Sequence, residues 1–235
     1  MLGPRKPGAS VCWCLSHRLD AKTNRELVGP ARGEYVKSIC SRVVSPGVLA
    51  YEGGVEVIGW AAVAPRSELP FARSTKIPHV DELPVWSVWC IRARPGHRGK
   101  GISHALLEGA AAYAWWSMRT PAIEGYPVDN KGKRVDLTMA YVGTRRLFED
   151  AGFTKAADTD SVSGGIPRVV MRLYLALTHL TGQTAISRLP LGWAGGASRR
   201  DLVVGGGRWS GGGGAEAQRL DRDEPFGADR QGSGW

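Results

Sequence analysis

Apolar and polar positions alternate in short periodic blocks up to about Leu177, and beyond that point the periodicity stops. Residues 33–44 are compatible with a helix. Val48–Tyr51 and Val55–Ala64 read as two strands joined by a tight turn at Glu52-Gly53-Gly54. A long loop, 66–84, carries Pro70, Pro78 and Pro84; loops of that length tend to be functional or mobile. The run Val85-Trp86-Ser87-Val88-Trp89-Cys90-Ile91 is apolar almost throughout, as in a strand buried on both faces. From Ile102 to Met118, apolar residues at 102, 105, 106, 109, 112, 113 and 116 recur at helical spacing. Pro121–Val128 reads as a short strand, and Gly143–Ala151 as a helix stopped by Gly152. Phe153–Ala157 and Arg168–Leu175 form a closing hairpin around Ser163-Gly164-Gly165. The order predicts a mixed α/β (α+β) sandwich rather than a regular βαβ repeat.

Composition separates the last block from the rest. Of the 32 glycines, 14 fall between Thr178 and Trp235. A segment so rich in glycine buries too little apolar surface to offset its ordering entropy. Residues 178–235 are therefore read as a flexible Gly-rich tail behind one domain, 1–177. The tail's 7 Arg and 6 acidic residues nearly cancel, so almost all of the net charge of +9 sits in the body. That charge favours polyanionic partners. A hydrophobic content of 43% excludes wholesale disorder. No apolar run approaches the roughly 18 residues of a membrane span, and the N-terminus has no apolar signal core. Four cysteines are too few for a disulfide scaffold and point to a reducing, cytoplasmic setting.

The candidate chemistry sits between Val88 and Leu107. A buried strand runs into Arg94-Pro95-Gly96-His97-Arg98-Gly99-Lys100-Gly101, which opens directly into a helix. The first N–H groups of a helix lack intrahelical partners and favour an anion. Gly99 and Gly101 remove the side chains that would hold phosphate oxygens away from the backbone, while Arg92, Arg94, Arg98 and Lys100 add positive charge. The nucleoside triphosphate pattern GxxxxGK[ST] fails, because Arg94 stands where its first glycine belongs. The dinucleotide pattern GxGxxG fails after Gly101.

Arg98-Gly99-Lys100-Gly101-Ile102-Ser103-x-Ala105-Leu106-Leu107 resembles the acyl-CoA loop of the GNAT superfamily of N-acetyltransferases. Leu147-Phe148-Glu149-Asp150-Ala151-Gly152-Phe153, about 45 residues on, is similar to the segment that ends that superfamily's last helix. The resemblance spans roughly 48–175. Cys12-Trp13-Cys14-Leu15, Gly59-Trp60-Ala61-Ala62, Trp86-Ser87-Val88-x-Cys90, Glu124-Gly125-Tyr126-Pro127 and Tyr141-Val142-Gly143-Thr144 further resemble an uncharacterised actinobacterial group of GNAT proteins.

The resemblance implies a GNAT-like central mixed sheet flanked by helices. Two of its parallel strands, here 85–93 and 121–128, splay apart to admit acetyl-CoA as co-substrate. The pantetheine arm pairs with Cys90, Ile91, Arg92 and Ala93 like an added strand, and the pyrophosphate rests on the amides of Arg98, Gly99, Lys100, Gly101, Ile102 and Ser103. The implied reaction is direct attack on the thioester by a primary amine of a small molecule or protein. A backbone N–H near Cys90 or Ile91 stabilises the oxyanion, and an acid protonates the thiolate.

The chain departs from the family at three places. Gly96 replaces a frequent Gln or Arg. Phe148 stands where the family often has a tyrosine acid, and phenylalanine donates no proton. Tyr141, Tyr126 or a water is then the acid, and Glu124, His97 or Asp136 could serve as base through a water. The family's first strand and most of its first helix precede the part that Leu2-Gly3-Pro4-Arg5 resembles. This is expected either from a start codon placed too late or from a fold with an exposed sheet edge.

Cys12, Cys14, His17, Cys40 and Cys90 raise a zinc reading, but C-x-C is tighter than usual ligand spacing, and buried small hydrophobes are the better reading. No metal is therefore expected. Trp60, Trp86 and Trp89 are expected in the core. Trp115 and Trp116 cannot face the same side, so one of them could make a homodimer contact. Two alternatives stand beside the enzyme: a non-catalytic acyl-CoA sensor, and, more weakly, a nucleic-acid-binding module.

Overall fold

The computed structural model describes residue 15 and residues 17–136, 141–175 and 202–205. Cys12 and Cys14, read above as buried small hydrophobes, lie outside them. Two short helices, α1 (Ala21–Glu26) and α2 (Pro30–Cys40), precede the hairpin β1 (Gly47–Glu52) and β2 (Glu56–Pro65). Then come β3 (Trp86–Ala93), α3 (Ile102–Met118), β4 (Ala122–Gly125), α4 (Arg145–Asp150) and the hairpin β5 (Thr154–Ser163) and β6 (Ile166–Tyr174). A last strand, β7, is Leu202–Gly205.

Helix α2 begins at Pro30 rather than at 33, because proline fits the first helical turn, where its missing N–H is no loss. The loop 66–84 contains two 3₁₀ turns, Arg66–Glu68 and Pro70–Arg73. The strand expected over 121–128 stops at Gly125, and Val128 returns only as an isolated bridge to Arg168 and Thr144.

The sheet order is β5-β6-β4-β3-β2-β1-β7, with β3 and β4 parallel and the other pairs antiparallel. This is the mixed sheet flanked by helices that the sequence implied. The β1 edge, expected to be bare, carries β7 among the described residues: Leu49 faces Gly205 and Glu52 faces Leu202. Those four residues of the Gly-rich segment therefore pair as a strand.

Each face of the sheet has its own core. One face packs Val88, Ile91, Ile123 and Met171 against Leu106, Leu107 and Ala110 of α3 and Phe148 of α4. The opposite face gathers Trp60, Trp89, Cys90, Tyr126 and Val170 under Leu69 and Ile77 of the long loop. Trp60, Trp86 and Trp89 are all buried, as expected. A bulge separates the faces near the site: Ala62 pairs with Cys90 but Val63 pairs with Val88, so Trp89 is the extra residue. Trp89 and Cys90 consequently join the same core, which strict alternation forbids.

Candidate active site

Strands β3 and β4 pair over three positions only, Trp86 with Ile123, Ser87 with Glu124 and Val88 with Gly125. They then part, because Val128 leaves the β3 side to bridge Arg168 and Thr144. The gap is not empty. The Ile91 amide donates to the Tyr141 carbonyl at 2.8 Å, Val128 N–H donates to the Gly143 carbonyl, and Arg145 N–H donates to the Val128 carbonyl. Residues 141–145 are thus stitched into the opening of the wedge. The expectation of an oxyanion donor at Ile91 is corrected to this extent: its N–H is engaged by the chain itself.

At the C-terminal end of β3 the turn adopts the conformations its glycines allow. Gly96, Gly99 and Gly101 have φ of +89°, +79° and +73°, a region costly for residues with a Cβ. Gly101 is the N-cap of α3, and no side chain caps that helix. A Cβ at Gly99 would meet nothing within 4 Å, so the backbone there faces open space. An uncapped, seventeen-residue helix behind an open glycine turn fits a pyrophosphate. The surrounding basic side chains are partly engaged: Lys100 Nζ lies 2.7 Å from Glu52 and Arg94 2.6 Å from Glu56, while His97 Nδ1 lies 3.2 Å from Glu52. The Lys100 hydrogen bond holds the Glu52 carboxyl below the ordinary carboxylate range. Among the described residues, Glu52, Glu56 and His97 are the one group close enough to share a metal ion, and the same residues already pair with Lys100 and Arg94. Among the described residues Cys40 and Cys90 form no disulfide.

Glu124 is not placed as a base. It is fully buried, and its Oε1 accepts from Arg172 Nε and Nη2 at 3.0 and 2.6 Å. Its Oε2 accepts from Arg66 Nη1 at 2.8 Å and from the Tyr126 hydroxyl at 3.1 Å. Arg172 also pairs with Asp81, and Tyr126 with Ser87. With both oxygens filled by two buried guanidiniums, this carboxylate serves to hold the network together, since removing it would strand both cations. Burial, followed by the Glu124 charge, pushes the Tyr126 hydroxyl far above its ordinary value, so this tyrosine stays protonated. The ion pairs of this network join residues 48 to 91 positions apart, which no local sequence pattern marks.

Phe148 is fully buried beside Phe153, at 5.0 Å between ring centroids, on the α3 face of the sheet. It fills the space over Gly125 and Gly143, where a Cβ on either glycine would collide with its ring. Tyr141 lies on the other face, half-buried against Trp60, Trp89 and Tyr126. Its hydroxyl is 2.8 Å from His17 Nε2, and the Arg92 guanidinium stands 6.0 Å from its ring centroid. The structure therefore separates the two catalytic candidates: Tyr141 borders the wedge, whereas Glu124 is sealed behind it.

Residues 17–115 match the Acetyltransferase (GNAT) family. No curated protein matches. Among solved structures, an aminoglycoside acetyltransferase AAC(6')-Ib in complex with coenzyme A is 17% identical over 66% of this chain and 80% of its own, with a TM-score of 0.43. The spermidine/spermine N-acetyltransferase SpeG from Vibrio cholerae is 15% identical over 57% and 68%, with a TM-score of 0.39. An uncharacterised protein from Bacillus halodurans is 13% identical with a TM-score of 0.39, and the chain spans 57% of its length. No helix among the described residues is long and apolar enough to cross a membrane.

Proposed function

We propose that the chain is an acetyl-CoA-dependent N-acetyltransferase that acts on a primary amine. One observation carries the reading: parallel strands part after three pairs, and the first of them ends in an uncapped, glycine-opened helix N-terminus. In this reading the amides of residues 98–103 hold the pyrophosphate, and the β3 edge from Cys90 to Ala93 orients the pantetheine arm. Bound there, acetyl-CoA supplies an activated acyl group. The Ile91 amide exchanges the Tyr141 carbonyl for the thioester oxygen, an electrostatic role of the kind that dominates acyl transfer. Tyr141 gives its proton to the leaving sulfur. The face lined by Trp60, Trp89 and Tyr126 receives the amine, under the roof of the 66–84 loop.

Structural neighbours described as acting on aminoglycosides and on spermidine or spermine make a polyamine-like acceptor worth testing first. The experiment is thiol release from acetyl-CoA with an amine panel containing spermidine, an aminoglycoside and a peptide α-amine. A thermal-shift series with Gly101→Glu runs alongside it. The expected result is turnover, together with acetyl-CoA protection that Gly101→Glu abolishes. Protection that survives the substitution would refute the loop assignment. Tight binding without thiol release would favour an acyl-CoA sensor.

A further inference from the structure

The contact between His17 and Tyr141 joins residues 124 positions apart. Their rings are nearly parallel, with centroids 6.0 Å apart and planes inclined by 16°. His17 Nε2 is 2.8 Å from the Tyr141 oxygen. The next residue, Arg18, packs its guanidinium 4.9 Å from the Trp89 ring centroid and donates to the Pro46 carbonyl at 3.0 Å. Residues 17 and 18 are therefore clamped over the bulge of β3 while Tyr141 is tied by its carbonyl to Ile91.

We infer that His17 is the positioning residue and proton relay for Tyr141, an inference that rests on the proposed acetyltransferase reading. A hydroxyl that both accepts and donates is defined in direction only when its acceptor side is filled. If His17 Nε2–H donates to the Tyr141 oxygen, the phenolic hydrogen is left for the leaving sulfur. As the C–N bond forms and the C–S bond breaks, that hydrogen moves from Tyr141 to the thiolate. The proton released by the amine nitrogen enters His17 at Nδ1, and the Nε2 proton passes to the Tyr141 oxygen. Tyr141 ends as it began. His17 ends as the other neutral tautomer and resets through solvent.

This arrangement also answers the absence of a hydroxyl at Phe148. The acid stands on the opposite face of the sheet and is held by the N-terminal segment rather than by α4.

The test has two independent readouts. Nitrogen-15 spectra of the full chain are expected to show His17 as the Nε2–H tautomer, and Tyr141→Phe should shift the His17 signals while leaving the other histidines unmoved. A bare Nε2, or His17 signals unchanged by Tyr141→Phe, would overturn the proposal without any activity measurement. With acetyl-CoA and the amine panel, His17→Ala should lower kcat about tenfold to a hundredfold at unchanged acetyl-CoA KM. His17→Gln, which keeps an N–H donor, should recover part of the loss. Equal kcat for wild type and His17→Ala would overturn the relay alone. Wild-type protein that is not stabilised by acetyl-CoA, or that releases no thiol, would overturn the enzyme reading and the relay with it. If His17→Ala fails to fold, His17→Gln and the wild-type spectrum still decide.

Discussion

The Ile91 amide donates to the Tyr141 carbonyl across 2.8 Å, so the protein pairs with its own β3 edge where the parallel strands separate. A pantetheine arm that pairs with the same edge competes for this donor. Titration with acetyl-CoA should therefore move the Ile91 amide nitrogen and the Tyr141 carbonyl carbon together in a backbone-resolved NMR spectrum. If both stay still while the thermal shift reports binding, the arm does not run along Ile91.

Phe148 and Gly125 are a matched pair. The ring occupies the volume that a Cβ at residue 125 would need. Gly125→Ala should destabilise by about 1–3 kcal/mol through overpacking, measured by urea unfolding, and by less when Phe148 is replaced with Leu. An equal cost in both backgrounds would show that the collision is not the cause. Phe148→Tyr, which would bury a hydroxyl in this core, should not raise kcat.

Glu124 holds two buried guanidiniums, so its neutralisation is a stability lesion. Glu124→Gln should cost roughly 3–5 kcal/mol, the range for breaking one side of a buried pair. It should leave the pH profile of kcat unchanged in whatever fraction folds. Loss of an alkaline or acidic limb would restore Glu124 as a proton carrier.

Acid sensitivity should be traceable to Asp81. The hydrogen bond from Arg172 holds its carboxyl below the ordinary value, with burial opposing. A carboxylate with a depressed folded value contributes its stability in full above the unfolded value of about 3.9. That contribution is lost as pH falls through the lower, folded value. Asp81→Asn should therefore be less stable than wild type at neutral pH, with the gap closing below about pH 4. Urea midpoints measured at several pH values check this, and a gap constant with pH would contradict it.

Pairing of Leu202–Gly205 with β1 covers a sheet edge that would otherwise offer unpaired N–H and C=O groups. Val203 faces Tyr51 in that register. Val203→Pro, which cannot sit in a paired ladder without loss, should lower Tm and increase self-association by light scattering. An unchanged hydrodynamic size and Tm would show that the edge needs no cover.

Much of the scaffold was legible in local patterns. The helix 102–118 matches α3 at both ends, because its apolar spacing follows one helical face and Gly101 cannot continue a strand. Both hairpin turns were marked by glycine pairs, Gly53-Gly54 and Gly164-Gly165, that all adopt positive φ. The turn before α3 was readable for the same reason: Gly99 and Gly101 adopt positive φ, and Gly101 opens the helix. Side-chain partnership across long sequence separations was not readable. Glu124 looked like a candidate base until Arg66 and Arg172 were seen to fill both of its oxygens. Phe148 looked like a missing acid until Gly125 explained its ring. His17 looked like a stray metal ligand until Tyr141 stood beside it.

By itself, then, the sequence determined the element order, the glycine-opened helix N-terminus and the family likeness, all of which are properties of short segments and local backbone freedom. The tertiary structure alone decided which carboxylate is sealed, which tyrosine borders the wedge and what closes the β1 edge. Those depend on contacts between segments that only the packed chain brings together.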